Sequence, residues 1–146
     1  MAMDKEARRR ELYGLLGELP DRNRPISATL VGEESRDSYV LEKLMLDLNG
    51  IEPVPAYFVR PKNATGRRLP TMIYNHAHGG EYNIGKDELI NHRNGIQFPY
   101  GEQFAQLGCN AICIDCWNFG ERRGRSEPDV FKEMLWKGQV LWGMKI

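Results

Sequence analysis

The chain has no long hydrophobic run, no surplus of charge of one sign and no disulfide framework. No stretch of about 18 apolar residues occurs, so nothing in it reads as a membrane-spanning helix. The 20 Lys and Arg cancel the 20 Asp and Glu to a formal net charge of zero. The basic clusters Arg8-Arg9-Arg10 and Arg122-Arg123 are interleaved with acids, so the basic stripe that a grip on nucleic acid requires is missing. The 3 cysteines, Cys109, Cys113 and Cys116, are clustered and odd in number. That fits a reducing compartment, with the cytoplasm as the expected location. Residues 1–10 are charged and lack the apolar core of a secretory signal. No internal repeat or low-complexity tract is present.

What is there is enough for one ordinary domain of 146 residues. Leu12, Leu15, Leu16 and Leu19 recur at helical spacing and predict a helix over 4–19, stopped by Pro20. Residues 39–48 alternate as a half-buried strand does. Asn49-Gly50 predicts a hairpin turn, and 54–60 the returning strand, with Pro53 and Pro55 marking an edge position. Residues 69–75 (LPTMIYN) form a short apolar strand and 76–80 a turn. Residues 82–100 are polar, irregular and too long for a plain connector, so a functional or lid-like insertion is expected. A helix over 100–107 closes on Gly108, and 109–116 (CNAICIDC) is a second apolar strand. Ser126 caps a last helix with Phe131, Met134, Leu135, Leu141 and Trp142 on its apolar face, running to Ile146. Residues 1–37 thus read as an N-terminal helix and linker, and 38–146 as the main body. Strand–helix–strand–helix order implies parallel strands under helices. The expected class is α/β, a three-layer α/β/α sandwich with a mixed, mostly parallel sheet.

The stretch richest in chemistry is 69–80, LPTMIYNHAHGG, an apolar strand ending in His-x-His-Gly-Gly. Two glycines at a strand's end let backbone N–H groups face a cavity without Cβ obstruction. Acyl transfer needs such fixed donors where negative charge develops. The plain alternative is a turn with polar filler.

Four segments in order resemble the α/β-hydrolase family that includes dienelactone-hydrolase-like enzymes and acetyl xylan esterases. They are Leu69-Pro70 opening the strand, His76-Ala77-His78-Gly79-Gly80, Gly85-Lys86-Asp87-Glu88, and Asp115 with Phe119-Gly120-Glu121-Arg122. The stretch 51–57 resembles the family's second strand, and the likeness covers roughly 38–142. Ala77 departs from it, standing where the family usually has glycine. The resemblance implies that His78 offers its backbone N–H to an oxyanion and that Gly79 and Gly80 shape the approach. It makes His76 a side chain holding the loop, and gives Asp115 and Trp117 cleft or structural roles. It implies a small-molecule ester substrate and no metal or organic cofactor.

None of the serines Ser27, Ser35, Ser38 and Ser126 lies in the Gly-x-Ser-x-Gly elbow that a serine hydrolase of this kind uses. No triad acid or base is recognisable either. The expectation is therefore an N-terminal half of a partial α/β-hydrolase fold, inactive alone. Its strand over 71–75 would form an open apolar edge, prone to self-association or to pairing with a complementing chain. The alternative is a non-catalytic truncated module that binds a partner through that edge.

Other patterns have plainer explanations. His76 and His78, with Asp115 or Cys116, could ligate a metal, but a loop-facing and a solvent-facing imidazole explain them as well. Cys113-Ile-Asp-Cys116 has redox spacing but lies in an apolar strand, where Cys113 is a core residue. Glu121-Arg122-Arg123 is expected as a partly paired surface. Asp115 is expected to hold the next loop by accepting backbone hydrogen bonds.

Overall fold

A computed structural model describes residues 4–16, 21, 23–64, 66–124 and 126–138. These group into two compact units, one of Asn23–Gly124 and one combining the two chain ends, Met1–Arg22 and Arg125–Ile146.

The larger unit is built on a five-stranded sheet: β1 (Ser27–Ser35), β2 (Tyr39–Asp47), β3 (Val54–Pro61), β4 (Thr71–Ile73) and β5 (Asn110–Ile114), in the order β1-β2-β3-β5-β4. Only β4 and β5 run parallel; the pairs β1–β2, β2–β3 and β3–β5 are antiparallel. The expected mostly parallel sheet is therefore corrected to a mostly antiparallel one. Short links between β1, β2 and β3 permit only hairpins, and a parallel pair needs a crossover, which here exists only between β4 and β5.

The segment expected as a linker contains β1, paired with β2 from Ser27↔Asp47 to Ser35↔Val40 with an irregularity between Leu30 and Gly32. Its residues are mostly exposed, so no alternation of burial marks it. The expected edge position of the 54–60 strand is also corrected. β3 lies between β2 and β5, and Pro55 is tolerated because its β5 pairing begins one residue later, at Ala56↔Ile114. The turn before it is fixed by side chains: Asp47 Oδ1 accepts from Gly50 N at 2.8 Å and Asn49 Oδ1 from Ile51 N at 2.9 Å.

One sheet face carries the main core of Tyr39, Leu41, Val59, Ala111 and Cys113, covered by Ala105 and Leu89. Ala105 comes from helix α1 of this unit (Tyr100–Gln106), which packs on β3 and β5. Leu89 comes from a 3-10 segment, Gly85–Leu89, inside the expected lid. That segment is no lid, because it buries Lys86, Glu88 and Leu89 against the sheet. Burying one leucine of this kind contributes about 1.5–3 kcal/mol. The other face holds a second cluster, Leu46, Val54 and Ala56 with Leu44, Ile112 and Ile114 against it.

The smaller unit has two helices. One is Lys5–Leu15, capped by the Asp4 side chain on Glu6 N; none of its residues is buried. The helix expected over 4–19 ends at Leu15, with Leu16 as its C-cap; Leu19 lies outside the described residues. The other is Glu127–Trp136, capped by Ser126 on Asp129 N, with Val130 and Met134 buried and Trp136 exposed. Leu141 and Trp142 lie outside the described residues, but the expected run to Ile146 is corrected: the helix ends at Trp136, with Lys137 as its C-cap and Gly138 in left-handed backbone.

Candidate functional site

Parallel β4 and β5 end side by side, and the loops that follow them, 74–84 and 115–124, lie together. Sheets of this type bind ligands at such carboxyl ends. The loops are stitched across: Gly120 N donates to Tyr82 O at 2.8 Å, and Cys116 N donates to His76 Nε2 at 3.0 Å. Accepting that bond requires an unprotonated Nε2, so the proton sits on Nδ1, which lies 3.2 Å from Ala77 O. His76 is buried and its ring lies 4.8 Å from that of Phe119. His78 is exposed; its ring stands edge-on to Tyr82 at 5.3 Å and to Phe119 at 5.2 Å.

Gly79 (φ 48°) and Gly80 (φ 73°) both adopt left-handed backbone and are exposed. A side chain is strained there, which accounts for the glycine pair. A Cβ on Gly79 would also come within 2.2 Å of Arg93 Nη2.

Two buried charge clusters hold this end of the sheet, both reached from the 85–89 segment. The first is centred on Asp115, fully buried at the end of β5. Its Oδ1 accepts from Lys86 N and its Oδ2 from Lys86 Nζ, each at 2.7 Å; Oδ2 also accepts from Glu121 N at 2.9 Å. Lys86 Nζ pairs with Glu121 at 2.5 Å and sits 4.8 Å above the Tyr57 ring. The approach of Gly120 to Asp115 leaves no room for a side chain, since a Cβ would stand 2.3 Å from Oδ1. Burial alone would pull the Lys86 ammonium down, but Asp115 and Glu121 reverse this and hold it above the ordinary lysine range. Burial, with Asp87 adding to it, pushes the Tyr57 hydroxyl up to about 12.

The second cluster is centred on Glu88, 2 % exposed. Its Oε1 accepts from Tyr74 Oη at 2.8 Å and from Ala77 N at 3.0 Å; its Oε2 pairs with Arg93 Nη1 at 2.6 Å. Arg93 Nη2 continues to Glu81 at 2.8 Å. Burial alone would raise the Glu88 carboxyl; the Ala77 amide, Tyr74 and Arg93 together hold it below the ordinary carboxylate range. Burial, reinforced by Glu88, raises the Tyr74 hydroxyl.

The structure thus brings together His76, His78, Gly79, Gly80 and Asp115 around two adjoining loops. Trp117 is buried in the second loop, beside Asn118, whose φ of 68° is the one left-handed non-glycine among the described residues. Arg122 is no surface charge: it donates to Asp115 O at 2.9 Å and pairs with Glu52. The expected solvated, partly paired cluster is corrected at Arg122 alone, whose guanidinium ties the loop after β5 to the approach to β3; Glu121 and Arg123 are exposed. Cys113 is buried in the core, and burial pushes its thiol up to about 12. Among the described residues no three His, Cys, Asp or Glu side chains come together as a metal-holding group. No helix of the described residues is long and apolar enough to cross a membrane. An open cleft of about 310 Å³ lies at the same end of the sheet beside the 47–53 turn, lined by Arg24, Ser27, Asp47 and Glu52 among others.

Arg93 and Tyr74 were not singled out from sequence; Lys86 and Glu88 stood in the Gly85-Lys86-Asp87-Glu88 segment of the resemblance, with no role assigned to either. Both lie in a long irregular segment that also holds Leu89 and Ile90. Charges default to the surface, so burial of that segment is not legible from composition.

No protein-family model matches the chain. It is 47 % identical over 140 residues to the Bacillus subtilis (strain 168) protein named "Putative hydrolase YtaP". That alignment takes in 95 % of the chain and 46 % of the relative, so the chain spans under half the relative's length. The fold is similar to the crystal structure titled "putative acetyl xylan esterase" from Bacteroides fragilis NCTC 9343, with a TM-score of 0.68 and 16 % identity. That match covers 96 % of the chain and 40 % of the esterase chain. The chain is thus similar in sequence to part of a protein named a putative hydrolase, and in fold to part of the esterase structure.

Proposed function

We propose that this chain forms one wall of the active site of a carboxylic-ester hydrolase. The hydrolase would be of the dienelactone-hydrolase and acetyl-xylan-esterase kind, working through an acyl-serine in a three-layer α/β/α sandwich. One observation carries the reading: the loop after β4 turns through two left-handed glycines beside the loop that follows its parallel neighbour. The family resemblance assigns the oxyanion donor to the backbone N–H of His78, next along from the Ala77 amide that Glu88 accepts. Gly79 and Gly80 open the approach, while His76, Asp115 and Trp117 hold the wall. The nucleophile, acid and base would come from polypeptide outside these 146 residues, since no serine here lies in an elbow. The substrate is a small-molecule ester, no metal or organic cofactor takes part, and the free thiols suit the cytoplasm.

The test is a chimera in which this chain replaces the matching part of the Bacillus subtilis relative, assayed on a short-chain chromogenic ester. Turnover is expected. His78→Pro, which deletes the amide, lowers kcat by roughly 10²–10³ with little change in KM. A folded chimera that cleaves no ester refutes the reading.

A second reading rests on β4. It ends the sheet among the described residues, and its Met72 and Ile73 are exposed, Ile73 by 77 %. Such an edge suits a binding module that takes a complementing strand or a second copy of the chain. Sedimentation velocity distinguishes it: association that Ile73→Lys abolishes supports it, and a monomer at all concentrations rejects it.

A further inference from the structure

We infer that Glu88 and Arg93 are positioning residues for the 77–81 turn, a bracket that sets the backbone of the assigned oxyanion loop; this rests on the ester-hydrolase reading above. The bracket touches the loop at three alternate positions. Glu88 takes the amide of Ala77, Arg93 lies against Gly79 so closely that a Cβ there would meet it at 2.2 Å, and Arg93 pairs with Glu81 at 2.8 Å. His78 and Gly80 lie between those fixed points. The base of the bracket is anchored by Tyr74, just beyond β4, whose hydroxyl donates to the same Oε1 that takes Ala77.

Stability alone does not account for this arrangement. Arg93 and Glu88 are both nearly excluded from water. An apolar pair of similar volume is often as stable as a buried ion pair or more so. An apolar pair would neither accept the Ala77 amide nor reach Glu81. What the charged pair supplies is a fixed backbone path through a turn whose glycines would otherwise leave it loose. An oxyanion donor has to be held in place before charge develops, so a second set of residues must fix it. The 85–89 segment also sends Lys86 to Asp115, so one short stretch of chain fixes both loops at this end of the sheet.

The test uses the 146-residue chain labelled with ¹⁵N, reading amide exchange at Ala77 and amide order parameters at residues 77–81. In the unmodified chain, order parameters near the rigid value of about 0.85 are expected. Glu88→Ala should drop them below about 0.6 and speed Ala77 exchange at least tenfold, with Val59 and Ala111 in the core unchanged. Glu88→Gln keeps an acceptor for Ala77 but loses the charge that holds Arg93. It should therefore retain Ala77 protection while residues 79–81 loosen, and it keeps the test open should the alanine variant fail to fold. A turn that stays rigid in both variants overturns the inference, as does loosening spread evenly over the core. Ester turnover by the chimera is a separate measurement. If the chimera is inactive while Glu88→Ala loosens the turn, the hydrolase reading falls and the bracket stands. If the chimera is active while the turn ignores Glu88, the bracket alone falls.

Discussion

Asp115 and Lys86 are buried charges whose partners are each other, with Glu121 completing the set at the surface. Removing one member strands the other in low dielectric, so Asp115→Ala should cost about 3–5 kcal/mol in a urea melt. Gly120→Ala should also destabilise, because its Cβ meets the Asp115 carboxylate and its backbone is left-handed. The two clusters bound stability in pH with opposite signs. Glu88 has a depressed folded pKa, so its contribution is present above the unfolded value and fades as pH falls below the ordinary carboxylate range, roughly pH 4. Lys86 has a raised folded pKa, so its contribution is present below the unfolded value and is lost as pH rises past about 10.4. Melting temperature followed against pH should fall at both ends, and Glu88→Gln should flatten the acid limb; an unchanged acid limb would refute the assignment. Cys113 should resist a thiol reagent at pH 8 in the native chain and react after denaturation, since its thiol is buried and its pKa raised to about 12. Prompt native labelling of Cys113 would contradict its place in the core.

At the scale of elements, β4 and the 85–89 segment have opposite fates. The apolar three-residue β4 is exposed, while the charged segment is buried. Ile73→Lys should leave thermal stability within about 0.5 kcal/mol of the parent, because an exposed side chain on an edge adds little. Leu89→Ala should cost about 2–5 kcal/mol, because it empties a site between the helix and the sheet. A Leu89→Ala protein as stable as the parent would mean the segment is not packed as described. Strand and helix positions over 39–47, 54–61, 100–106 and 127–136 were legible because each carries its own period, turn or cap. β1 was not, because neither of its faces is consistently buried and its pairing with β2 gives no signal in residues 27–35 themselves.

For the molecule as a whole, chain order set the class and pairing set the sheet. Alternating strands and helices dictated an α/β fold, and the glycine pair after an apolar strand marked the place where backbone turns sharply. Ser126 before Pro128 fixed a helix start. Those are local properties, set by side-chain period, φ preference and hydrogen-bonding reach within a few residues. The strand order β1-β2-β3-β5-β4, the inward burial of Lys86 and Glu88, and the contact between Arg93 and Gly79 join residues distant in sequence or hidden in an irregular stretch. Only the closed tertiary structure decides these. A charge leaves water only when its partner is already placed to receive it, and no short window of sequence contains both halves of that condition.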